Sequence, residues 1–487
     1  MIGTYEVIEA DYSREHLLAP RHRGNPCIAA LPLVGKSIED IMASFEHLPA
    51  KPKKADRQLD LLERVGQLNT LNDVVIKLVD YQQAALAAIS VLRETYYARN
   101  IITAEDRRRR MLLHNTPIGT RGQKRSYEDI VPQIVIPANW KSSAKGLGFF
   151  GVSGSGKTTF ASTLGLQFMV VIRHTAYKGQ SLKLDQIPWI YIQIPHDATV
   201  KSLCLEFFRT VDEILGYSRY LAEAKAVDGI AEMVMLIARV STTVALGALF
   251  VDEFHNLKIA KGPNIVIVLN LFSQLVERAG ISVFVAGTPS VKSILQPGTA
   301  NQRKLITGGE VNFKLMALDS PEFDDFATQI WKYQYVKRPV RLTPAIKKAW
   351  HEASAGNPAF MVLAFHLAQR NEIGERECVD HLSLAMAASQ NMATLQPAIR
   401  ALSLGTAEAM QAYDDMDVSK KMQAIRDMLG LPPLNADAYA VGDEDDFPEL
   451  VDKPGSQKPA KAPAARGRRV ATGKEPDPLP KPENPLQ

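Results

Sequence analysis

One short stretch restricts this chain more than any other. Leu147–Phe150 is an apolar strand, residues 151–159 read Gly-Val-Ser-Gly-Ser-Gly-Lys-Thr-Thr, and a helix-compatible run follows from Thr159 to Val171. The pattern G-x-x-x-x-G-K-[ST] falls on Gly151, Gly156, Lys157 and Thr158, in the strand-before, helix-after setting that a phosphate-binding loop requires. Glycines let the backbone turn its N–H groups onto a polyphosphate, and the following helix offers its positive end to the same anion. Gly151, Ser153, Gly154, Ser155, Gly156, Lys157, Thr158 and Thr159 are therefore candidate nucleotide-binding residues. Lys157 is placed to reach the outer phosphates and Thr158 to ligate Mg²⁺, which makes ATP and magnesium the expected ligands.

Such a loop needs an acidic partner at the end of a neighbouring buried strand. Residues 245–253, Ala-Leu-Gly-Ala-Leu-Phe-Val-Asp-Glu, stay apolar until Asp252, as a parallel strand covered on both faces does. Asp252 is the second candidate for the metal. Glu253 is the candidate that polarises a water for attack on the terminal phosphate. A third apolar strand, 281–287, ends in Gly287-Thr288-Pro289.

Composition bounds the rest. At 487 residues with 46% hydrophobic side chains, the chain can hold two or three domains. Its three cysteines (Cys27, Cys204, Cys378) are odd in number and far apart, which fits neither a disulfide framework nor a metal cluster. No signal-like segment or long apolar span is present, so the expectation is a soluble, cytoplasmic protein with no membrane partner. The net charge is only +4, but Lys and Arg cluster at 51–54, 107–110, 121–125 and 466–469. Such runs are commonly solvated faces; the four adjacent arginines at 107–110 repel one another and fit that reading least.

Along the chain, residues 1–45 read as irregular and 58–101 as helical by period, with Ile134-Val135-Ile136 a possible edge strand. Residues 141–318 alternate strand and helix. The strands fall at 147–151, 189–194, 246–251, 281–287 and 311–318, and the helices near 157–172, 199–216, 228–242 and 263–279. That alternation predicts a parallel sheet covered on both faces. Helical pattern alone resumes at 321–334, 343–354, 357–370, 379–390 and 395–415. The expected domains are an N-terminal, partner-binding extension (1–140), an α/β nucleotide-binding core (141–320), a helical lid (321–418) and a linker with a Pro/Lys/Ala-rich tail (419–487) too poor in apolar residues to fold alone. The tail reads equally as a tether or as a solubilising end.

Taken together, Gly-Val-Ser-Gly-Ser-Gly-Lys-Thr-Thr (151–159), Leu-Gly-Ala-Leu-Phe-Val-Asp-Glu-Phe-His-Asn-Leu (246–257), Val-Ala-Gly-Thr-Pro (285–289) and Gly-Asn-Pro-Cys-Ile-Ala-Ala-Leu-Pro (24–32) resemble TnsC. TnsC, with its relatives TniB and MuB, is an AAA+ ATPase regulator of cut-and-paste DNA transposition. The resemblance covers about residues 20–400. It implies a P-loop AAA+ fold with a C-terminal helical lid and a helical N-terminal extension. It also implies ATP-dependent assembly on double-stranded DNA as a hexameric or heptameric ring or a helical filament. The assembly links a target-selecting protein to a transposase and is dismantled by hydrolysis. Thr288 becomes the candidate γ-phosphate sensor and Arg303 the candidate arginine supplied by a neighbouring subunit, a contribution of about 10³–10⁵ in rate in related enzymes. The lid departs from the common pattern: Gly356-Asn357-Pro358 is followed by Ala359 where many lids carry an arginine. DNA contact is expected at the backbone, through Thr199 and Lys201 at a helix start and Lys258 and Lys261 after the acidic strand. His255 reads as a packing residue. An AAA+ signalling or chaperone-like switch with protein clients and no DNA is the alternative, favoured by the near-neutral charge. A clamp-loader type lacks support because no Ser-Arg-Cys motif occurs.

Overall fold

The computed structural model describes residues 5–118, 134–195, 199–227, 229–259, 264–291 and 304–404. Five strands form one all-parallel sheet: β2 (Gly146–Gly151), β5 (Trp189–Gln193), β6 (Ala248–Asp252), β7 (Ser282–Gly287) and β8 (Glu310–Phe313), in the order β5-β6-β7-β2-β8. Each was expected from the sequence within two residues at its start. The last strand is shorter than 311–318. Lys314 N donates to Asp80 Oδ2 (2.7 Å) and Met316 N to the Gly356 carbonyl (3.1 Å), so the chain leaves the ladder after Phe313.

The three central strands β2, β6 and β7 bury both faces, which is why each reads as an unbroken apolar run, whereas the edge strand β8 exposes Glu310 and Asn312. Phe149, Phe250, Phe284 and Ala286 pack to one side, where Phe160 of the helix Lys157–Leu166 joins them. The Phe149 ring lies 5.3 Å from Phe160 and 5.6 Å from Phe250. A fully buried aromatic of this kind contributes about 1.5–3 kcal/mol through removal from water. Ile190, Ile192, Leu249, Val251, Val283 and Val285 face the other side, against the helices Val200–Leu215, Ile230–Thr243 and Asn264–Gln274.

The N-terminal residues belong to this same structure. The helix Val79–Thr95 presents Ala84, Ala85, Ala88 and Leu92 to β2, β7 and β8. The alanines allow the close approach, and Tyr96 donates to the Ala245 carbonyl at 2.9 Å. Residues from 27 to 96, the sheet and the lid residues 323–402 share one continuous core.

Four expectations need correction. The helix after the glycine loop stops at Leu166 instead of running to 172, because Val170-Val171-Ile172 is a β-branched run that pairs as a strand. That strand, β3 (Val170–Tyr177), turns back through Lys178-Gly179, both at positive φ (49° and 80°), into β4 (Gln180–Gln186). This is the two-residue hairpin geometry that glycine favours. β3 also takes β1 (Glu6–Glu9) as a parallel partner, within a segment read as irregular. The single helical stretch 58–101 is broken. Leu61–Gln67 is helical, Leu68–Asp73 is a 3₁₀ turn, and Val75 exchanges both backbone hydrogen bonds with His47 (2.9 and 2.8 Å) before the helix at Val79. Ile134–Ile136 forms no strand. Both backbone groups of Ile134 go to side chains instead, its N–H donating to Gln274 Oε1 and its carbonyl accepting from Arg278 Nη1.

The arginine run 107–110 is split by burial. Arg109 is 1% exposed, ion-paired to Asp106 at 2.7 Å, and stacked on Trp140 at 5.1 Å, whereas Arg107 and Arg108 face water. Residues 121–125 and 466–469 lie outside the described residues. The lid consists of the helices Pro321–Trp331, Pro344–Glu352, Pro358–Glu372, His381–Met386 and Gln396–Leu404. The expected lid end at 418 and the tail from 419 lie outside the described residues. No helix among the described residues is long and apolar enough to cross a membrane.

Candidate nucleotide site

In an open parallel sheet, ligands bind outside the carboxyl ends of the strands where the strand order reverses. Here that point is β2, flanked by β7 and β8. The registers bring Gly151, Gly287 and Asp252 to the same edge: Phe150 pairs with Gly287, Gly151 with Phe313 and Val251 with Val285. Residues 94 positions apart in the chain therefore meet, and Thr158 Oγ1 donates to Asp252 Oδ2 at 2.8 Å.

The loop needs its glycines. Gly154 and Gly156 sit at φ +81° and +95°, where L side chains are strained. A Cβ on Gly154 would lie 2.6 Å from Asn357 Oδ1, and one on Gly156 2.7 Å from the Tyr81 hydroxyl. Lys157 is 8% exposed; its Nζ donates to the carbonyls of Gly151 (2.6 Å) and Val152 (2.8 Å). Asp252 is 2% exposed and accepts three hydrogen bonds, from Thr158, from Tyr191 OH at 2.8 Å and from Glu253 N at 2.8 Å.

Glu253 takes the left-handed conformation (φ 55°), uncommon for a residue with a side chain and a kind of strain that gathers at functional sites. Its Oε2 lies 3.2 Å from His255 Nε2, so His255 is no plain packing residue. Its Nδ1 is buried without a hydrogen-bond partner. Thr288 is 8% exposed, its hydroxyl 2.9 Å from that of Ser290.

A cavity of about 370 Å³ joins these groups. Ser153, Gly154, Gly156, Lys157, Thr158 and Thr159 line one side, beside Asp252, Glu253, His255 and Thr288. Of the remaining loop candidates, Ser155 is fully buried and Gly151 spends its carbonyl on Lys157; neither lines the cavity. The other side is apolar: Leu71, Val74, Val75, Ile76 and Leu78 from the N-terminal segment, with Phe326, Ala359 and Val362 from the lid. The polar half and apolar half together suit a ligand with a phosphate chain and a flat base.

Both flanking regions bond directly to the loop. Tyr81 OH donates to the Gly156 carbonyl at 3.0 Å; burial pushes its pKa well up, so it remains a donor. Asn357 caps the lid helix through Oδ1, accepting from Ala359 N (3.1 Å) and Phe360 N (3.3 Å). Its Nδ2 donates to the Ser153 carbonyl at 2.8 Å, and Ala359 N reaches the Gly154 carbonyl at 3.3 Å. Sequence reading missed Leu71–Leu78, Tyr81 and Tyr191. The β-branched run Val74-Val75-Ile76 was the available signal, hidden under a helical period.

Of the predicted DNA candidates, Thr199 and Lys201 do not line the cavity. Thr199 caps the helix Val200–Leu215, its Oγ1 accepting from Ser202 N at 3.2 Å, and Lys201 is exposed in the first turn. Both follow the carboxyl end of β5, the edge that carries Asp252. Lys261 and Arg303, and the side chain of Lys258, lie outside the described residues.

The residues present fit a magnesium nucleotide. The glycine cradle excludes any Cβ, and a hydroxyl and a carboxylate oxygen stand side by side. Magnesium bound mainly by phosphates and water takes one or two such protein oxygens.

Residues 141–295 match a family model described as an AAA domain. No curated protein sequence matches the chain. Among solved structures, it is similar to the Aeropyrum pernix Orc1 protein in complex with DNA, with 14% identity over 60% of this chain and 72% of that one and a TM-score of 0.37. A Walker-type ATPase of Pyrococcus abyssi shares 14% identity over 52% of this chain and 70% of that one, with a TM-score of 0.34. Cdc6p from Pyrobaculum aerophilum shares 11% over 67% and 86%, with a TM-score of 0.36. Likenesses this shallow carry no argument of their own. The family match, the five-stranded parallel sheet and the loop–acid pair at its switch point make residues 141–295 an AAA-type ATPase domain.

Proposed function

We propose that the protein is an ATP-dependent, DNA-binding regulator of transposition that assembles on duplex DNA, links a target-selecting protein to a transposase, and comes apart on ATP hydrolysis. The observation that carries the ATP-switch part is the Thr158–Asp252 hydrogen bond beneath a cavity shared by the loop, the N-terminal segment and the lid. The transposition part rests on the resemblance of residues 24–32, 151–159, 246–257 and 285–289 to TnsC.

In this reading the loop N–H groups and Lys157 bind the phosphates, Lys157 exchanging its carbonyl partners for them. Thr158 and Asp252 would hold magnesium, which neutralises charge on the transferring phosphoryl group. Glu253 accepts a proton from the attacking water, and Thr288 senses the terminal phosphate. Arg303 of a neighbouring copy completes the site. The lid helix and Tyr81 are bonded to the loop backbone, so a change in loop conformation shifts both. Thr199, Lys201, Lys258 and Lys261 serve as phosphate-backbone contacts, which predicts strong salt dependence and little sequence preference.

A filter-binding assay with duplex DNA tests this. Wild type should retain DNA with ATP and release it with ADP. Lys157→Ala should retain none, and Glu253→Gln should stay bound after wild type has dissociated. Absence of ATP-dependent retention at modest salt ends the DNA reading. ATP-driven oligomers that ignore DNA in size exclusion would then favour a switch acting on protein clients.

A further inference from the structure

Asp252 has a partner outside the loop. Tyr191, on the neighbouring strand β5, donates its hydroxyl to Asp252 Oδ2 at 2.8 Å, the same oxygen that Thr158 uses. The Tyr191 ring stacks on Phe250 of β6 with centroids 5.8 Å apart, which fixes its direction. Gln193 Nε2 then donates to the Tyr191 hydroxyl at 3.2 Å, so the phenol oxygen accepts one bond and gives one.

We propose that Tyr191 is a positioning residue that aims the Asp252 carboxylate at a divalent metal, with Gln193 fixing the direction of its hydroxyl. The inference rests on the nucleotide-site reading above. A hydroxyl can ligate a cation through a lone pair while its proton stays on a carboxylate, so Thr158 would be tied to the metal itself. Tyr191 and Glu253 N are the donors that hold the Asp252 carboxylate from outside the metal site. Outer partners of this kind orient metal-ligating carboxylates, and their loss typically weakens metal binding by about 10–100-fold. Gln193 is exposed on the segment that leads to Thr199 and Lys201, so the relay runs from the metal-binding acid to the surface before that helix.

The test uses the full-length protein with ADP and Mn²⁺ as a paramagnetic stand-in for magnesium, free Mn²⁺ being read by electron paramagnetic resonance. Tyr191→Phe should weaken Mn²⁺ binding to the ADP complex by about tenfold or more. Metal-free ADP binding and the melting temperature should stay at wild-type values. Gln193→Ala should weaken Mn²⁺ binding in the same direction by less. Equal Mn²⁺ affinity in wild type and Tyr191→Phe overturns the positioning role. A parallel loss of metal-free ADP affinity or melting temperature overturns it too, since the hydroxyl would then be a general structural bond. If wild type itself binds no ADP, the nucleotide-site reading fails instead.

Discussion

The tightest link between the N-terminal segment and the lid is a charge pair, and its pH dependence can be worked out. Arg64 donates through Nη1 and Nη2 to the two oxygens of Glu377 at 2.6 and 2.8 Å. Arg64 is 2% exposed and Glu377 14%. The guanidinium, first, and then the N–H groups of Gly374 and Lys337 hold the Glu377 carboxyl at about 2, against an ordinary value of 4.5. A lowered folded-state value means stability that is fully present above the unfolded value and lost as pH falls through the folded one. The window is therefore pH 4.5 down to about 2. The full shift corresponds to about 3 kcal/mol, and partial solvent access reduces it to about 2 kcal/mol. Glu377→Gln keeps the shape, removes the charge and leaves Arg64 buried without its counter-ion, so it should destabilise the lid by at least that amount at pH 7. Two of the four tryptophans, Trp331 and Trp350, lie in the lid with rings 5.5 Å apart, so intrinsic fluorescence follows its unfolding in urea. With a slope of about 2 kcal/mol/M, the midpoint of Glu377→Gln should fall by about 1 M at pH 7. Its deficit should shrink as pH approaches 2.5. An unchanged midpoint at pH 7, or a deficit that is constant with pH, refutes the assignment.

Two further outcomes follow from the site. Gly154→Ala places a Cβ 3.0 Å from that of Ala359 and 2.6 Å from Asn357 Oδ1 at φ +81°. About 1–2 kcal/mol of left-handed strain should then weaken ATP-analogue binding by about tenfold, measured by calorimetry, and wild-type affinity would show that the lid does not abut the loop there. Lys201→Ala should lower the slope of log affinity against log salt for duplex DNA by about one, and an unaltered slope removes Lys201 from the DNA surface.

The chemistry of the ATPase domain was legible in the linear order of residues, for a physical reason. A phosphate cradle needs glycines at fixed positions, and strands buried on both faces must be apolar throughout. Gly151–Thr159, Val251-Asp252-Glu253 and Gly287-Thr288 announce themselves without knowledge of their neighbours. The lid helices, amphipathic and opened by Ser320, Thr343 and Asn357, were equally local. What pairs with what was not. Val74–Leu78, apolar except for Lys77, is compatible with a helix, and the Val75–His47 bridge together with packing against the lid and sheet holds it extended as the cavity wall. Val170–Tyr177 became a strand because β1, whose Glu6 pairs with Val170 from 164 residues earlier, and β4 were available to pair with it. Tyr191 and Asp252 look unrelated 61 positions apart, and Asn357 reads as nothing more than a helix cap. Their roles come from strand order and register, which place side chains from distant segments within hydrogen-bond reach, and no local pattern encodes that distance.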